Sequence, residues 1–173
     1  GFSGETTHLL PGSGIDGIGP RDSVTHNGEV PSVPVSEGLL GRVIDARGNP
    51  IDGLGPITNG VRFPIHNEPV PALKRCLIDQ SMSTGVRAID GVLTTGRGQR
   101  LGIFSGSGVG KSTLLGMIAK NTDLPIRVIA LIGERGREVR EFLERDLGPK
   151  GLQNTVVVVA TSDEAAVSRI RAA

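Results

Sequence analysis

One glycine-rich motif limits what this chain can fold into more than any other feature of its sequence. Residues 105–112 read Ser-Gly-Ser-Gly-Val-Gly-Lys-Ser and lie between a short apolar run and a segment with helical periodicity. Glycines let the backbone curl so that successive N–H groups point at an anion, and the next helix adds its positive N-terminal end. The motif therefore predicts a phosphate-binding loop. A plain glycine-rich turn is the alternative, which the Gly-Lys-Ser triplet at a strand-to-helix junction disfavours.

The residues of this loop have distinct predicted roles. Lys111 would reach the β- and γ-phosphates of ATP, and Ser112 would place its hydroxyl on Mg²⁺, with Thr113 as the alternative ligand. Ser105 stands where the usual pattern has its first glycine, a position that accepts a small residue when its φ is negative. The predicted nucleotide contacts are Gly106, Ser107, Gly108, Val109, Gly110, Lys111, Ser112 and Thr113.

Apolar strands alternate with amphipathic segments from residue 99 onward, which predicts a parallel sheet with right-handed crossovers. The predicted pairs of strand and helix are 100–104 with 112–121, 128–132 with 138–147, and 156–160 with 164–172. Gly148 and Gly151 should end the second helix, and Ser162 and Asp163 should cap the third. Residues 1–60 predict short strands and tight turns, and residues 61–98 a linker with a short helix near 86–93.

A second charged motif, Gly-Glu-Arg-Gly-Arg-Glu at residues 133–138, directly follows the next predicted strand. Parallel strands end at the same edge of a sheet, so Glu134 should emerge beside the phosphate-binding loop. There its carboxylate could orient the water that attacks the γ-phosphate, while Glu138, one helical turn further, could bind a water of the Mg²⁺ shell. From the charges alone, a solvated first helical turn would be preferred, and the nearby loop reverses that preference.

Composition excludes several classes of function. The formal net charge is only +1 and the chain has no tryptophan or tyrosine, which argues against a nucleic-acid partner. The lone Cys76 suits a reducing compartment such as the cytoplasm. His8, His26 and His66 lack metal-ligand spacing, so no metal other than Mg²⁺ is predicted. The apolar runs are too short to span a bilayer, and the N-terminus lacks the layout of a signal peptide.

Several segments together resemble the flagellar and type III secretion export ATPases, relatives of the rotary ATP synthase β subunit. Residues 101–116, 131–148 and 156–173 resemble their catalytic core, 84–90 and 96–100 resemble the lead-in to the loop, and 40–45 with 49–53 resemble their interdomain hinge. The resemblance implies a RecA-like α/β fold with helices on both faces of the parallel sheet, preceded by the remnant of an N-terminal β-barrel. The expected domains are residues 1–36 for the partial barrel, 37–98 for the hinge and lead-in, and 99–173 for the truncated nucleotide domain.

The resemblance also implies an activity and its partners. It implies ATP hydrolysis that energises protein export, with Glu134, Lys111 and Arg135 as catalytic residues and Ser112 and Glu138 at the metal. It further implies a homohexamer, stalk-like and regulatory export proteins, cargo with chaperones, and peripheral contact with the export gate at the cytoplasmic face of the inner membrane. Residues 160–163 and 169–173 resemble the flagellar branch more than the virulence branch.

Other readings of the same motifs stay open. A catalytic subunit of a proton- or sodium-translocating ATPase would share this site, and a non-hydrolysing ring subunit is a third possibility that Glu134 disfavours. An RNA-translocating hexamer is disfavoured by the charge and the scarcity of aromatic residues. The sequence stops before the Mg²⁺-associated aspartate, the neighbour's arginine and the aromatic wall of such ATPases, so we expect a piece of a longer protein that is inactive by itself.

Overall fold

The centre of the molecule is a three-stranded parallel sheet, seen in a computed structural model that describes residues 1–12, 14–106 and 108–173. The strands, in chain order, are β1 (Phe2–Ser3), β2 (Thr6–Thr7), β3 (Ser32–Val35), β4 (Val43–Asp45), β5 (Val61–Pro64), β6 (Ser81–Met82), β7 (Thr95–Gly96), β8 (Arg127–Ile132) and β9 (Thr155–Ala160). The α-helices are α1 (Arg87–Asp90), α2 (Lys111–Asn121), α3 (Gly136–Glu141), α4 (Gly148–Leu152) and α5 (Ala166–Ala172). A π-helix, Phe142–Leu147, joins α3 to α4, and short 3-10 turns cover Glu37–Leu39 and Ala72–Lys74.

Strand β9 lies between β4 and β8, and both of its neighbours are parallel to it. Val43 pairs with Val157 on one side, and Ile129 pairs with the same valine on the other. The four consecutive valines of β9 fit this central position, because a strand covered on both faces needs apolar residues facing both ways. Val157 and Ala160 are completely buried.

A helical layer covers one face of the sheet. Helices α2, α3 and α4 and the π-helix pack there, and Leu147 of the π-helix is completely buried. Helix α2 comes very close to the π-helix at Gly116, where an added Cβ would lie 2.8 Å from the Cβ of Asp146. This face of the core consists of Val43, Ala119, Ile129, Leu131, Val139, Phe142, Leu147, Val157 and Val159.

The opposite face carries a smaller apolar cluster. Leu39, Ile44 and Val156 are buried there, and Ile57 packs against them. Helix α5 also contacts β9 and β8. The alternating orientation of side chains along β9 explains the two clusters, since Val157 belongs to one and Val156 to the other.

Two ion-containing turns fix the segments around the sheet. Arg42 donates from Nε and Nη2 to the carboxylate of Asp52, at 2.7 and 2.9 Å, and that carboxylate also accepts the N–H groups of Val43 and Leu54. The guanidinium of Arg42 holds the pKa of Asp52 well below its usual range. This bidentate pair ties the start of β4 to the turn that follows it.

The second turn holds the C-terminal end of α2. Asp90 accepts hydrogen bonds from the hydroxyl and N–H of Thr84, the Ser83 hydroxyl and the Gly85 N–H, and these lower its pKa to about 2. The carbonyl oxygen of Ser83 in turn accepts the Thr122 hydroxyl at 2.9 Å, directly after α2 ends. The turn therefore anchors the helix that begins at the phosphate-binding loop.

Most of the predicted elements of the sheet region are confirmed. Strands β8 and β9 and helices α1, α2 and α3 form where the periodicity placed them, to within a few residues at their ends. The predicted strand at 100–104 is wrong, because residues 99–106 contain neither strand nor helix. A strand needs a neighbouring ladder, and within the described part of the chain this segment has none.

The predicted helix ends are partly wrong. Ala165 occupies the N-cap of α5, so Ser162 and Asp163 do not cap this helix. Gly148 does leave the helical conformation, with φ of 61°, but α4 then adds one more turn that includes Gly151. The backbone N–H of Ser162 instead takes part in the turn after β9, which is described below.

The N-terminal strands form small antiparallel pairs, β1 with β2 and β3 with β5. The barrel remnant at residues 1–36 stays a prediction, as does the division at residue 98. The parallel sheet itself crosses that division, since β4 lies before it and β9 after it. Among the helices of the described residues, none combines the length and the hydrophobicity needed to cross a membrane.

Candidate functional site

The glycine-rich motif forms a loop that leads directly into α2. Gly108 and Gly110 have φ values of 74° and 94°, a left-handed conformation that glycine adopts without strain. Gly110 is the N-cap of α2, and Lys111 is its first residue. A Cβ added at Gly106, Gly108 or Gly110 would meet no described atom within 4 Å, so the backbone here faces open space. An anion can therefore approach the loop and the N-terminus of an eleven-residue helix.

The first glycine of the usual pattern is replaced by Ser105 without strain. Within the described residues, Asn59 is the non-glycine residue with a positive φ, so the backbone of Ser105 is in an ordinary conformation. The expectation that a small residue is accepted at this position is confirmed.

A polar cavity of about 380 Å³ lies between this loop and α3 with its π-helical extension. It brings together eight of the residues that the sequence predicted for the site: Gly106, Gly108, Gly110, Lys111, Ser112, Thr113, Glu134 and Glu138. Among these eight residues, one cationic amine and two hydroxyls share the cavity with two carboxylates. The cavity has the groups needed to hold an anionic ligand together with a hard metal ion.

Two predicted site residues do not line the cavity. They are Val109, which is 67% exposed, and Arg135. Arg135 instead donates from Nη1 to Oε1 of Glu138 at 3.3 Å. Ser107 lies outside the described residues.

Glu134 lies at the carboxyl edge of the sheet, immediately beyond β8. Gly133, with φ of 76°, turns the chain, and its N–H donates to the carbonyl oxygen of Ala160 at 2.8 Å. The carbonyl oxygen of Glu134 then accepts the N–H of Ser162 at 2.9 Å. These bonds extend the β8–β9 ladder past the strand ends and hold the backbone that carries the Glu134 carboxylate.

The carboxyl groups of Glu134 and Glu138 line the same cavity. Burial by itself would raise the pKa of Glu138, but the Arg135 N–H, the Glu134 side chain and the charges of Arg135 and Arg137 outweigh it and lower this pKa. Glu138 is therefore ionised at neutral pH, as a residue that binds a cation or its water shell must be.

A smaller apolar cavity of about 230 Å³ adjoins the polar one. Lys111, Ser112, Glu134 and Glu138 lie on the border between the two cavities. Charges at an apolar wall interact more strongly than charges surrounded by water. The apolar lining is provided by Leu101, Ile103, Leu115, Leu131, Val139 and Phe142.

The sequence reasoning missed Glu141, Phe142 and Asp146, which also line the polar cavity. Glu141 and Phe142 follow Glu138 by three and four residues, so helical spacing could have placed them on the same face. Glu141 is also paired with Arg145. Asp146 had no such signal, because it reaches the cavity where the π-helix passes closest to α2.

Several known proteins are similar to this chain in sequence and in fold. A flagellum-specific ATP synthase of Bacillus subtilis is 50% identical over the whole chain, and a type 3 secretion system ATPase of Xanthomonas euvesicatoria is 48% identical over the whole chain. The chain spans about 40% of the length of these two relatives. A solved structure of the assembled ATPase EscN with its central stalk EscO, from enteropathogenic E. coli, has a TM-score of 0.85 and 46% identity, covering 94% of this chain and 40% of that one.

The family described as "ATP synthase alpha/beta family, nucleotide-binding domain" matches residues 85–173. The matched range includes the glycine-rich loop, helix α2, Glu134 and the two long strands β8 and β9. The chain belongs to the ATP synthase alpha/beta family.

Proposed function

We propose that the full-length protein hydrolyses ATP to ADP and phosphate and uses the free energy to drive protein export through a flagellar or type III secretion apparatus. The observation that carries the hydrolytic part is the shared cavity, which Lys111, Ser112 and Glu134 all line. The export part is supported by relatives of about 50% identity that are named for flagella or type 3 secretion.

Each side chain in the cavity has a proposed task. Lys111 and the loop N–H groups bind the β- and γ-phosphates, and Glu134 orients the water whose oxygen bonds to the γ-phosphorus as the bond to ADP breaks. Arg135 acts on this centre through Glu138, with which it is paired. Because phosphoryl transfer depends mainly on positioning and charge stabilisation, these groups provide most of what the step requires.

The residues also fit Mg²⁺. The hydroxyl of Ser112 and the ionised carboxylate of Glu138 line the same cavity, and both are the hard oxygen ligands that this ion prefers. When bound, Mg²⁺ would neutralise charge on the phosphate oxygens. Within the described residues, the side chains do not form a closed cage of three or more acidic, histidine or cysteine ligands, which agrees with an ion shared between protein, phosphates and water.

We further propose that the protein works in the cytoplasm as a homohexamer with a stalk-like partner, at the inner membrane beside the export gate, and that regulatory proteins, cargo and chaperones bind it there. The stalk proposal is supported by the similarity to EscN, a relative whose assembled form binds the central stalk EscO.

The test is ATP hydrolysis by the full-length protein with three variants. Glu134→Gln should bind Mg·ATP and turn over orders of magnitude more slowly, while Lys111→Ala should bind poorly. Glu144→Gln is the matched control, since Glu144 is an exposed glutamate of the same helical segment that pairs with Arg140. Turnover by Glu134→Gln at the parent rate would refute the assignment of the hydrolytic site.

A further inference from the structure

The turn after β9, residues 161–164, is closed by its own polar groups. The N–H of Thr161 donates to Oε1 of Glu164 at 2.9 Å, and the N–H of Glu164 donates back to the carbonyl oxygen of Thr161 at 3.1 Å. A hydrogen bond from the Thr161 side chain lowers the pKa of Asp163. The turn is thus a short closed ring in which Thr161 and Glu164 bind each other.

This closed turn directs the N–H of Ser162 toward the segment that follows β8. Ser162 lies between the two ends of the ring, and its N–H donates to the carbonyl oxygen of Glu134 at 2.9 Å. On the other side of the same peptide segment, the N–H of Gly133 donates to the carbonyl oxygen of Ala160. The segment Gly133–Glu134 is therefore held at both ends by hydrogen bonds, one to Ala160 at the end of β9 and one from Ser162 just beyond it. These bonds restrict a backbone that glycine would otherwise leave flexible.

We propose that residues 161–164 form a positioning turn that fixes the backbone of Glu134 so that its carboxylate faces Lys111 and Ser112. This inference rests on the proposed role of Glu134 in hydrolysis. Neither Ser162 nor Glu164 lines the cavity, so both act through Glu134 and are positioning residues rather than catalytic ones.

Helix α5 does not use the polar residues of the turn for its N-cap. Helix α5 begins at Ala166 after Ala165, so it does not draw on Ser162 or Asp163 for its cap. The side chain of Glu164 is directed back to Thr161 rather than outward to solvent. Both observations fit a turn whose purpose is its shape and the direction of the Ser162 N–H.

Two pairs of variants of the full-length protein test the turn. Ser162→Pro removes the N–H that reaches Glu134, whereas Ser162→Ala keeps it. Glu164→Ala opens the ring, whereas Glu164→Gln keeps an Oε1 that can accept from Thr161. We expect kcat for ATP hydrolysis to fall by about ten- to one hundred-fold in the first member of each pair, since a misplacement of about 1 Å has effects of this size.

Binding and folding separate positioning from plain structural damage. The affinity for a fluorescent ATP analogue with Mg²⁺ and the thermal unfolding temperature should stay near the parent values in Ser162→Ala, Glu164→Gln and Glu164→Ala. The proposal is overturned if Glu164→Ala, folded and binding nucleotide, retains the parent kcat. It is equally overturned if the conservative variants lose as much kcat as the disruptive ones.

A double-mutant cycle shows whether the turn acts through Glu134. If it does, Glu164→Ala should change kcat very little in a Glu134→Gln background, because the group that it positions is already gone. Equal fold-losses in both backgrounds would contradict the inference and leave the hydrolytic role of Glu134 intact. If Glu134→Gln alone hydrolyses ATP at the parent rate, the proposed function fails instead, so the two failures are distinguishable.

Discussion

Replacing Gly116 by alanine tests whether close packing or helix propensity has the larger effect on the stability of α2. Alanine in a helix interior is favoured over glycine by about 1 kcal/mol, so an unhindered substitution would stabilise the protein. Here, however, the new Cβ would lie 2.8 Å from the Cβ of Asp146 and 2.9 Å from its carbonyl oxygen. Carbon contacts are most favourable at about 3.5 to 4.0 Å, and two of the three closest atoms belong to the backbone and cannot rotate away.

The expected net effect follows from these opposing contributions. Overpacking of this kind costs about 1 to 3 kcal/mol. Over most of that range the cost is larger than the gain of about 1 kcal/mol in helix propensity. We therefore expect Gly116→Ala to lower the free energy of unfolding by up to about 2 kcal/mol, seen as a fall of up to a few degrees in the calorimetric transition of the full-length protein. Helix α2 should shift away from the π-helix, which would also weaken nucleotide binding at Lys111 and Ser112.

Gly136→Ala is the matched control. Gly136 is the first residue of α3, and a Cβ added there would meet no described atom within 4 Å. Its unfolding temperature should be unchanged or raised. A stabilised Gly116→Ala protein would show that the close approach of α2 to the π-helix does not exist in solution, and the reasoning would be refuted.

Three further substitutions test the core and the two ion-containing turns by thermal unfolding. Leu147→Ala should cost about 2 to 5 kcal/mol because this side chain is completely buried, whereas Leu73→Ala, at a fully exposed position, should have no effect. Asp90→Asn should flatten the pH dependence of stability. Hydrogen bonds from Thr84 lower the pKa of Asp90 from 3.8 to about 2. The parent protein therefore loses the stabilisation from this carboxylate as the pH falls from about 4 toward 2. An unchanged pH profile would contradict this role. Arg42→Lys should lower the unfolding temperature at neutral pH, since an ammonium cannot reproduce the two-donor contact with Asp52; an equal temperature would show that the pair is dispensable.

Sequence patterns within single segments were enough to predict the two long strands and helix α2. The valine run of β9, the apolar run of β8 and the amphipathic period of α2 each carry their own signal, and each element forms where it was predicted. The loop motif likewise specified that Lys111 and Ser112 begin a helix beside open space. Glu134 emerges at the carboxyl edge of the sheet and lines one cavity with them, as predicted, although the segment before the loop does not form the strand on which that prediction relied.

The remaining features depend on contacts between distant residues. Residues 100–104 have the composition of a strand, but a strand is defined by its partner, and that is not encoded in the segment itself. The π-helix and the approach of Asp146 to Gly116 depend on how two helices pack, which periodicity does not specify. Serine is a residue type that suits a helix cap, yet the N–H of Ser162 donates to the carbonyl oxygen of Glu134, which follows the neighbouring strand β8.

The order of strands in the sheet has a consequence for how the protein is made. Strand β9 is synthesised after both of its neighbours, β4 and β8, yet it lies between them, and Val43 must find its partner Val157 across a long stretch of chain. Pairings between residues so far apart in sequence form slowly, because a long loop must close before any contact compensates for it. On the ribosome, β4 and β8 would both emerge before β9, the strand that pairs with each of them, has been synthesised. A nascent chain stopped before Thr155 would therefore contain the whole phosphate-binding loop and still have no central sheet to support it.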